Sequence, residues 1–204
     1  MILLAFALYV GALGFIFGLR AWDQRRRTGT SGFRGITGRP PEPEWIGGVL
    51  FVVAIALGLA APLLALIGGV PTPAPIVVQV AGLVIAIAGF AAMLAGQLGM
   101  GASWRVGVDT SERTDLVTTG AFGWVRNPVF TAMVTAQAGI ALMVPTRVSA
   151  LALLALVGAV ELQVRTVEEP YLRQTHGVAY ENYGARVGRF VPGVGRLGGA
   201  APTA

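Results

Sequence analysis

Five apolar runs dominate this 204-residue chain: Ile2–Leu19, Trp45–Gly69, Ile76–Leu98, Pro128–Val144 and Val148–Val160. Runs of this length leave few folds open. In hydrocarbon every backbone N–H and C=O must be satisfied inside its own segment or barrel, and a spanning helix needs about 20 residues. The bulk values agree with a membrane chain: 54% hydrophobic, 12% charged, mean hydropathy +0.69. A soluble domain carries about twice that charged fraction. The expected fold is all-α: a polytopic membrane helix bundle of about five transmembrane helices, with a C-terminal helical hairpin and a cytoplasmic tail. The fifth run has only 13 residues and covers about 20 Å of a roughly 30 Å core. Its helix therefore has to continue through Glu161 and Arg165, or the last hairpin has to be partly buried in protein.

The arginines set the orientation. The chain has no lysine, and 14 of its 15 arginines fall after the first run, after the third, or in the tail. Arg34, Arg105 and Arg113 belong to these loops, and only Arg147 lies on the other side. By the positive-inside rule this predicts an N-terminus outside and a cytoplasmic C-terminus. Positive charge follows the first run instead of preceding it, so that run reads as a retained span and not a cleaved signal. The net charge of +5 suits an anionic leaflet. Nucleic acid is excluded as a partner because the arginines flank apolar runs and form no separate basic domain. There is no cysteine and one histidine, which excludes disulfides and Cys- or multi-His-ligated metal. An arginine-only, Ala/Gly-rich composition reads as bacterial and places the chain in the inner membrane. Nothing in the sequence bears on oligomeric state.

Two segments carry the chemistry. The first is Gly101–Val125 followed by Arg126-Asn127-Pro128. Trp104, Phe122 and Trp124 are placed as interfacial aromatics. Pro128 fits the first turn of a helix. The free N–H groups and dipole of that turn favour an anion, and Arg126 adds a fork of donors for a carboxylate. Alone, Arg126 would serve as a snorkelling anchor. The second segment is VELQVRTVEEPYLRQTHGVAYENY. There Glu161, Arg165, Glu168 or Glu169, Arg173 and His176 recur at helical spacing as one polar stripe, and Pro170 suggests a kink. Ordinary i,i+4 Glu–Arg pairs would explain the stripe. The shortness of the fifth run draws Glu161 and Arg165 toward membrane depth, where ionisable groups tend to be functional.

The order LVTTGAFGWVRNP, an apolar hairpin, EEPYL, then HGVAYENYGARVGRFVP resembles the isoprenylcysteine carboxyl methyltransferase family and its phospholipid methyltransferase relatives, over roughly Met93–Pro192. The resemblance implies three regions: N-terminal transmembrane helices and cytoplasmic loop (1–92), a methyltransferase-like core (93–192), and a disordered tail (193–204). It also implies S-adenosylmethionine as cofactor, a lipophilic or lipid acceptor with a carboxylate or thiol, and a site facing the cytoplasm. Carried over position by position, Leu116, Val117, Gly120 and Phe122 correspond to the cofactor-side loop. Arg126, Asn127 and Pro128 correspond to an Arg-His-Pro, Glu168 and Glu169 to paired glutamates, and Tyr180 and Tyr183 to the Gly-x-x-Tyr-x-x-Tyr pattern after Gly177. Arg126 and Glu168 are the expected catalytic residues, and the others, with Arg126 again, hold the cofactor. Asn127 departs from the family's His and cannot take up a proton near neutral pH. A sterol-reductase-like membrane reductase using a nicotinamide cofactor, and a catalytically silent homologue, stay open as alternatives.

Overall fold

The computed structural model describes residues 1–29, 35–100 and 115–198. Arg34, Trp104, Arg105, Arg113 and the tail beyond residue 198 lie outside them. Among the described residues the chain is helical, with two isolated bridges and no strand. In chain order the α-helices are α1 (Ile2–Ala12), α2 (Arg20–Thr28), α3 (Pro43–Leu66), α4 (Ile76–Gly99), α5 (Pro128–Met143), α6 (Arg147–Gln163), α7 (Glu169–His176) and α8 (Val178–Arg186). A π-helical stretch, Leu13–Leu19, joins α1 to α2, and a second, Val164–Glu168, joins α6 to α7.

Among the described residues four helices are long and apolar enough to cross a membrane: Ile2–Asp23, Pro43–Leu66, Ile76–Gly99 and Arg147–His176. Five were expected. The difference is α5, whose 16 residues reach only about 24 Å at 1.5 Å per residue. The run Val148–Val160 continues through Glu161 and Arg165, in a helix of 30 residues ending at His176. Pro170 lies inside that helix without breaking it. A proline at position i crowds the carbonyl at i−4 and donates no hydrogen bond. Just upstream the helix widens, and Glu169 N–H bonds to Val164 O, five residues back. Such π-bulges re-aim the side chains that follow, and are frequent at functional sites. Here the bulge ends at Glu168, and Glu169 follows it.

α4 packs antiparallel to α5 at close range because glycines face the contact. A Cβ on Gly89 would lie 2.5 Å from Ala136 N, and one on Gly139 2.4 Å from Ala86 N. Small residues let membrane helices approach backbone to backbone, where van der Waals contact replaces the missing hydrophobic drive. α3 runs along α6, and α1 lies against α3. One core cluster draws Ile16, Ala54, Met93, Met133, Leu156 and Val164 from the first, second and later helices alike. At one end, Thr72 N–H bonds to Pro145 O, which joins the α3–α4 and α5–α6 turns. The other end gathers the N-termini of α3 and α5 and the C-terminus of α4, with α7 and α8, and holds the cavity described next.

Candidate functional site

Gly177 (φ +51) turns the chain sharply between α7 and α8, a conformation that favours glycine. The turn brings the end of α8 and residues 187–197 back over Arg126. A parallel bridge pairs Val125 with Gly188. Arg126 N–H donates to Gly188 O at 2.8 Å, and Asn127 N–H to Arg189 O at 3.1 Å.

Arg126 is buried at 5% exposure, so it is not a snorkelling anchor. The donors of both its Nη atoms are taken within the protein, while Nε is buried with no hydrogen-bond partner among the described residues. Nη1 donates to Gly184 O (3.0 Å) and Val187 O (2.6 Å), capping the last turn of α8, where free carbonyls and the dipole favour a cation. Nη2 donates to Glu169 Oε1 (2.7 Å) and Gly195 O (3.0 Å). Arg189 grips the same carboxylate with two bonds, Nε to Oε1 at 2.7 Å and Nη2 to Oε2 at 2.8 Å. Glu169 thus stands between two guanidiniums, and its carboxylate holds Arg126 and Arg189 together. The bond to Glu169 raises the pKa of Arg189 further, against its partial desolvation. The polar stripe expected along this helix is divided accordingly: Glu161 pairs with Arg165 on an exposed face, while Glu169 turns inward.

The same clamp orders residues expected to be disordered. Arg189 N–H donates to Val194 O and Leu197 N–H to Gly184 O, so residues 193–198 pack onto α8. Asn127 Nδ2 donates to Arg189 O at 3.2 Å, and Thr131 Oγ1 to Phe190 O at 3.0 Å, tying the start of α5 to the same segment. Tyr183 Oη donates to Phe122 O at 2.7 Å and so fixes the short 3₁₀ turn Gly120–Gly123. Burial pushes the pKa of Tyr180 up to about 12 and that of Tyr183 up as well. Both phenols are neutral donors at physiological pH.

These elements enclose a cavity of about 290 Å³. Of the residues picked out by resemblance, Leu116, Val117, Phe122, Arg126, Asn127, Pro128, Glu168, Tyr180 and Tyr183 line it. Gly120 and Glu169 do not: Gly120 is exposed at the 3₁₀ turn, and Glu169 stands behind Arg126. The wall also takes in residues the sequence did not single out, among them Phe17, Glu44, Phe51, Gln97, Asp115 and Tyr171. Gln97 is 1% exposed, a burial unusual for an amide, and its place inside an apolar run is the sequence signal that would have found it. Phe17, Glu44 and Phe51 come from segments distant in sequence, whereas Asp115 and Tyr171 adjoin the motif residues. The charged residues on the wall are Glu44, Asp115, Glu168 and Arg126, three carboxylates against one guanidinium, so among the described residues the lining is net acidic.

A family model described as Phospholipid methyltransferase matches residues 77–179, from α4 into the start of α8. That range contains the wall of the cavity from Met93 to Leu172 and two of the three clamp residues, Arg126 and Glu169. Searches among curated proteins and among solved structures return no match. With the motif residues of α5 and α7 gathered at one cavity and more than half the chain matched, the chain belongs to the phospholipid methyltransferase family and is a membrane methyltransferase in its general class.

Proposed function

We propose that the cavity is an S-adenosylmethionine-dependent methyl-transfer site for an acceptor with a reactive head on an apolar chain. The observation that supports this reading is the lining itself: three carboxylates beside apolar walls, framed by the residues of the family motifs. The donor set suits this cofactor. Glu44, Asp115 and Glu168 complement its sulfonium and ammonium charges. Leu116, Val117 and Phe122 offer apolar surface to its adenine. The cofactor supplies a methyl group on positively charged sulfur, ready for a nucleophile. What remains for the protein is to bind, orient and exclude water.

Arg126 and Glu169 act in this reading as positioning residues. They lock α8 and the 187–197 segment against α5, and so set Asn127, Tyr180 and Tyr183 at the wall. Asn127 cannot accept a proton, so it orients. Glu168 is the carboxylate next to the clamp and is the proposed proton acceptor. The lining favours an amine or thiol over a carboxylate nucleophile, because both Nη atoms of the one described arginine at the wall are taken within the protein and the three carboxylates there oppose a further one. This departs from the carboxylate or thiol acceptor expected from the resemblance: it keeps the thiol, sets the carboxylate aside and adds the amine. The arginine-rich end of the bundle carries the cavity, and by the positive-inside rule this supports a site facing the cytoplasm.

The test uses purified protein in lipid nanodiscs. S-adenosylhomocysteine should bind in calorimetry, and methyl-labelled S-adenosylmethionine should label long-chain amines or thiols in preference to fatty acids. Glu168→Gln should lose transfer while keeping the fold. Binding of a nicotinamide nucleotide with none of S-adenosylhomocysteine would overturn the proposal in favour of a reductase.

A further inference from the structure

Beyond the main cavity lies a smaller one of about 40 Å³, and Phe17, Met93 and Met133 line both. Its wall is apolar except for Tyr9 and Gln137. Gln137 is 4% exposed, and its Nε2 is buried with no hydrogen-bond partner among the described residues. The Tyr9 hydroxyl donates to Ile55 O at 3.2 Å, which leaves its own oxygen free to accept. Gly58 makes the room. A Cβ there would lie 2.2 Å from Tyr9 Oη and 2.8 Å from Gln137 Oε1, so both polar tips converge over the glycine.

Packing does not account for this amide. A buried donor without a partner is destabilising, and a leucine of similar size would remove the penalty. Gln137 lies ten residues past Asn127 along α5, about 15 Å at 1.5 Å per residue. A chain whose head is at Asn127 would reach it.

We infer that the small cavity is the far end of the acceptor channel, and that Gln137 selects an apolar chain ending in a hydroxyl or carbonyl oxygen. The inference rests on reading the main cavity as the methyl-transfer chamber. Nε2–H donates to the terminal oxygen. A hydroxyl there donates in turn to Gln137 Oε1 or Tyr9 Oη. A space of this size takes an end group and no further chain, so the same site gauges length.

The test is to titrate n-alkyl amines of stepped length, and their ω-hydroxy counterparts, into the nanodisc protein saturated with S-adenosylhomocysteine. At one chain length the hydroxy compound should bind about tenfold tighter, the difference one net hydrogen bond makes. Gln137→Leu should abolish that preference, leave n-alkyl affinity unchanged, and melt at or above the wild-type temperature. Equal binding of both series by the wild type would mean that Gln137 meets only buried water, and would overturn the inference. A preference retained in Gln137→Leu, or lost together with a lowered melting temperature, overturns it too. Binding of S-adenosylhomocysteine, measured separately, tests the methyl-transfer reading itself, so the two failures are distinguishable.

Discussion

Replacing Glu169 by Gln removes the one negative charge between two arginines while keeping side-chain shape. The Arg126 side chain is 1% exposed and that of Arg189 15%. Breaking a buried pair by deleting one partner costs about 3–5 kcal/mol, because the other charge is left uncompensated. Arg189 softens this by reaching water; Arg126 cannot. The comparison is Glu161→Gln, which breaks an i,i+4 pair whose side chains are 39% and 56% exposed. Pairs of that kind contribute about 0.3–0.5 kcal/mol. The two substitutions make the same chemical change on one continuous helix, yet their effects should differ by about tenfold. For a chain of this size 1 kcal/mol moves the melting temperature by about 2–4 °C, so Glu169→Gln should lower it by roughly 10 °C and Glu161→Gln by about 1 °C. Heating both variants in the same lipid nanodiscs, followed by circular dichroism, measures the difference. Arg126→Lys should resemble Glu169→Gln, since an ammonium cannot reproduce the four bonds the guanidinium makes. If Glu169→Gln melts no lower than Glu161→Gln, the clamp does not hold the site together and the positioning role fails.

Gly139→Ala should cost about 1–3 kcal/mol, because its Cβ would press on the Ala86 backbone, whereas Gly158→Ala, with nothing within 4 Å, should stabilise by about 0.5–1 kcal/mol; melting curves of the two variants decide. Tyr183→Phe should cost about 1 kcal/mol at neutral pH through the lost bond to Phe122 O. Tyr180 and Tyr183 have folded pKa values raised above the unfolded value, so their stabilisation is complete below about pH 10. It is lost as pH rises and the unfolded chain ionises first. Wild-type stability should therefore decline above pH 10, and the Tyr180→Phe/Tyr183→Phe double variant should decline less. Single cysteines at the exposed positions Thr72 and Arg186 should react with an impermeant thiol reagent from opposite sides of intact cells, Thr72 from outside; reaction from the same side would refute the orientation read from the arginines.

The spans were legible because their physics is local. A helix satisfies its own backbone in lipid, so an apolar run long enough to cross announces itself, and a run too short to cross requires a continuation. That is how Val148–Val160 pointed to a helix extending past Arg165. α5 was legible in its bounds, since Pro128 opens the run and Pro145 closes it, but at 16 residues it is shorter than the helices that are long enough to cross by themselves. The motif residues could be named from their order alone, but their partners could not. Local spacing offers Glu169 the arginines at 165 and 173. The folded chain gives it Arg126 and Arg189, 43 and 20 residues away, because the π-bulge before Pro170 turns it inward and Gly177 folds the C-terminal segment over it. The order of residues 193–198 follows from the same event, since Gly195 O is a ligand of the arginine that the clamp positions. Gln97 and Gln137 are amides within apolar runs; that one lines the main cavity and the other meets Tyr9 over Gly58 depends on how the helices pack. Short-range backbone and solvation terms decide which segments are helices. Which side chains share a low-dielectric pocket is decided by long-range contacts, and these exist only once the bundle has closed.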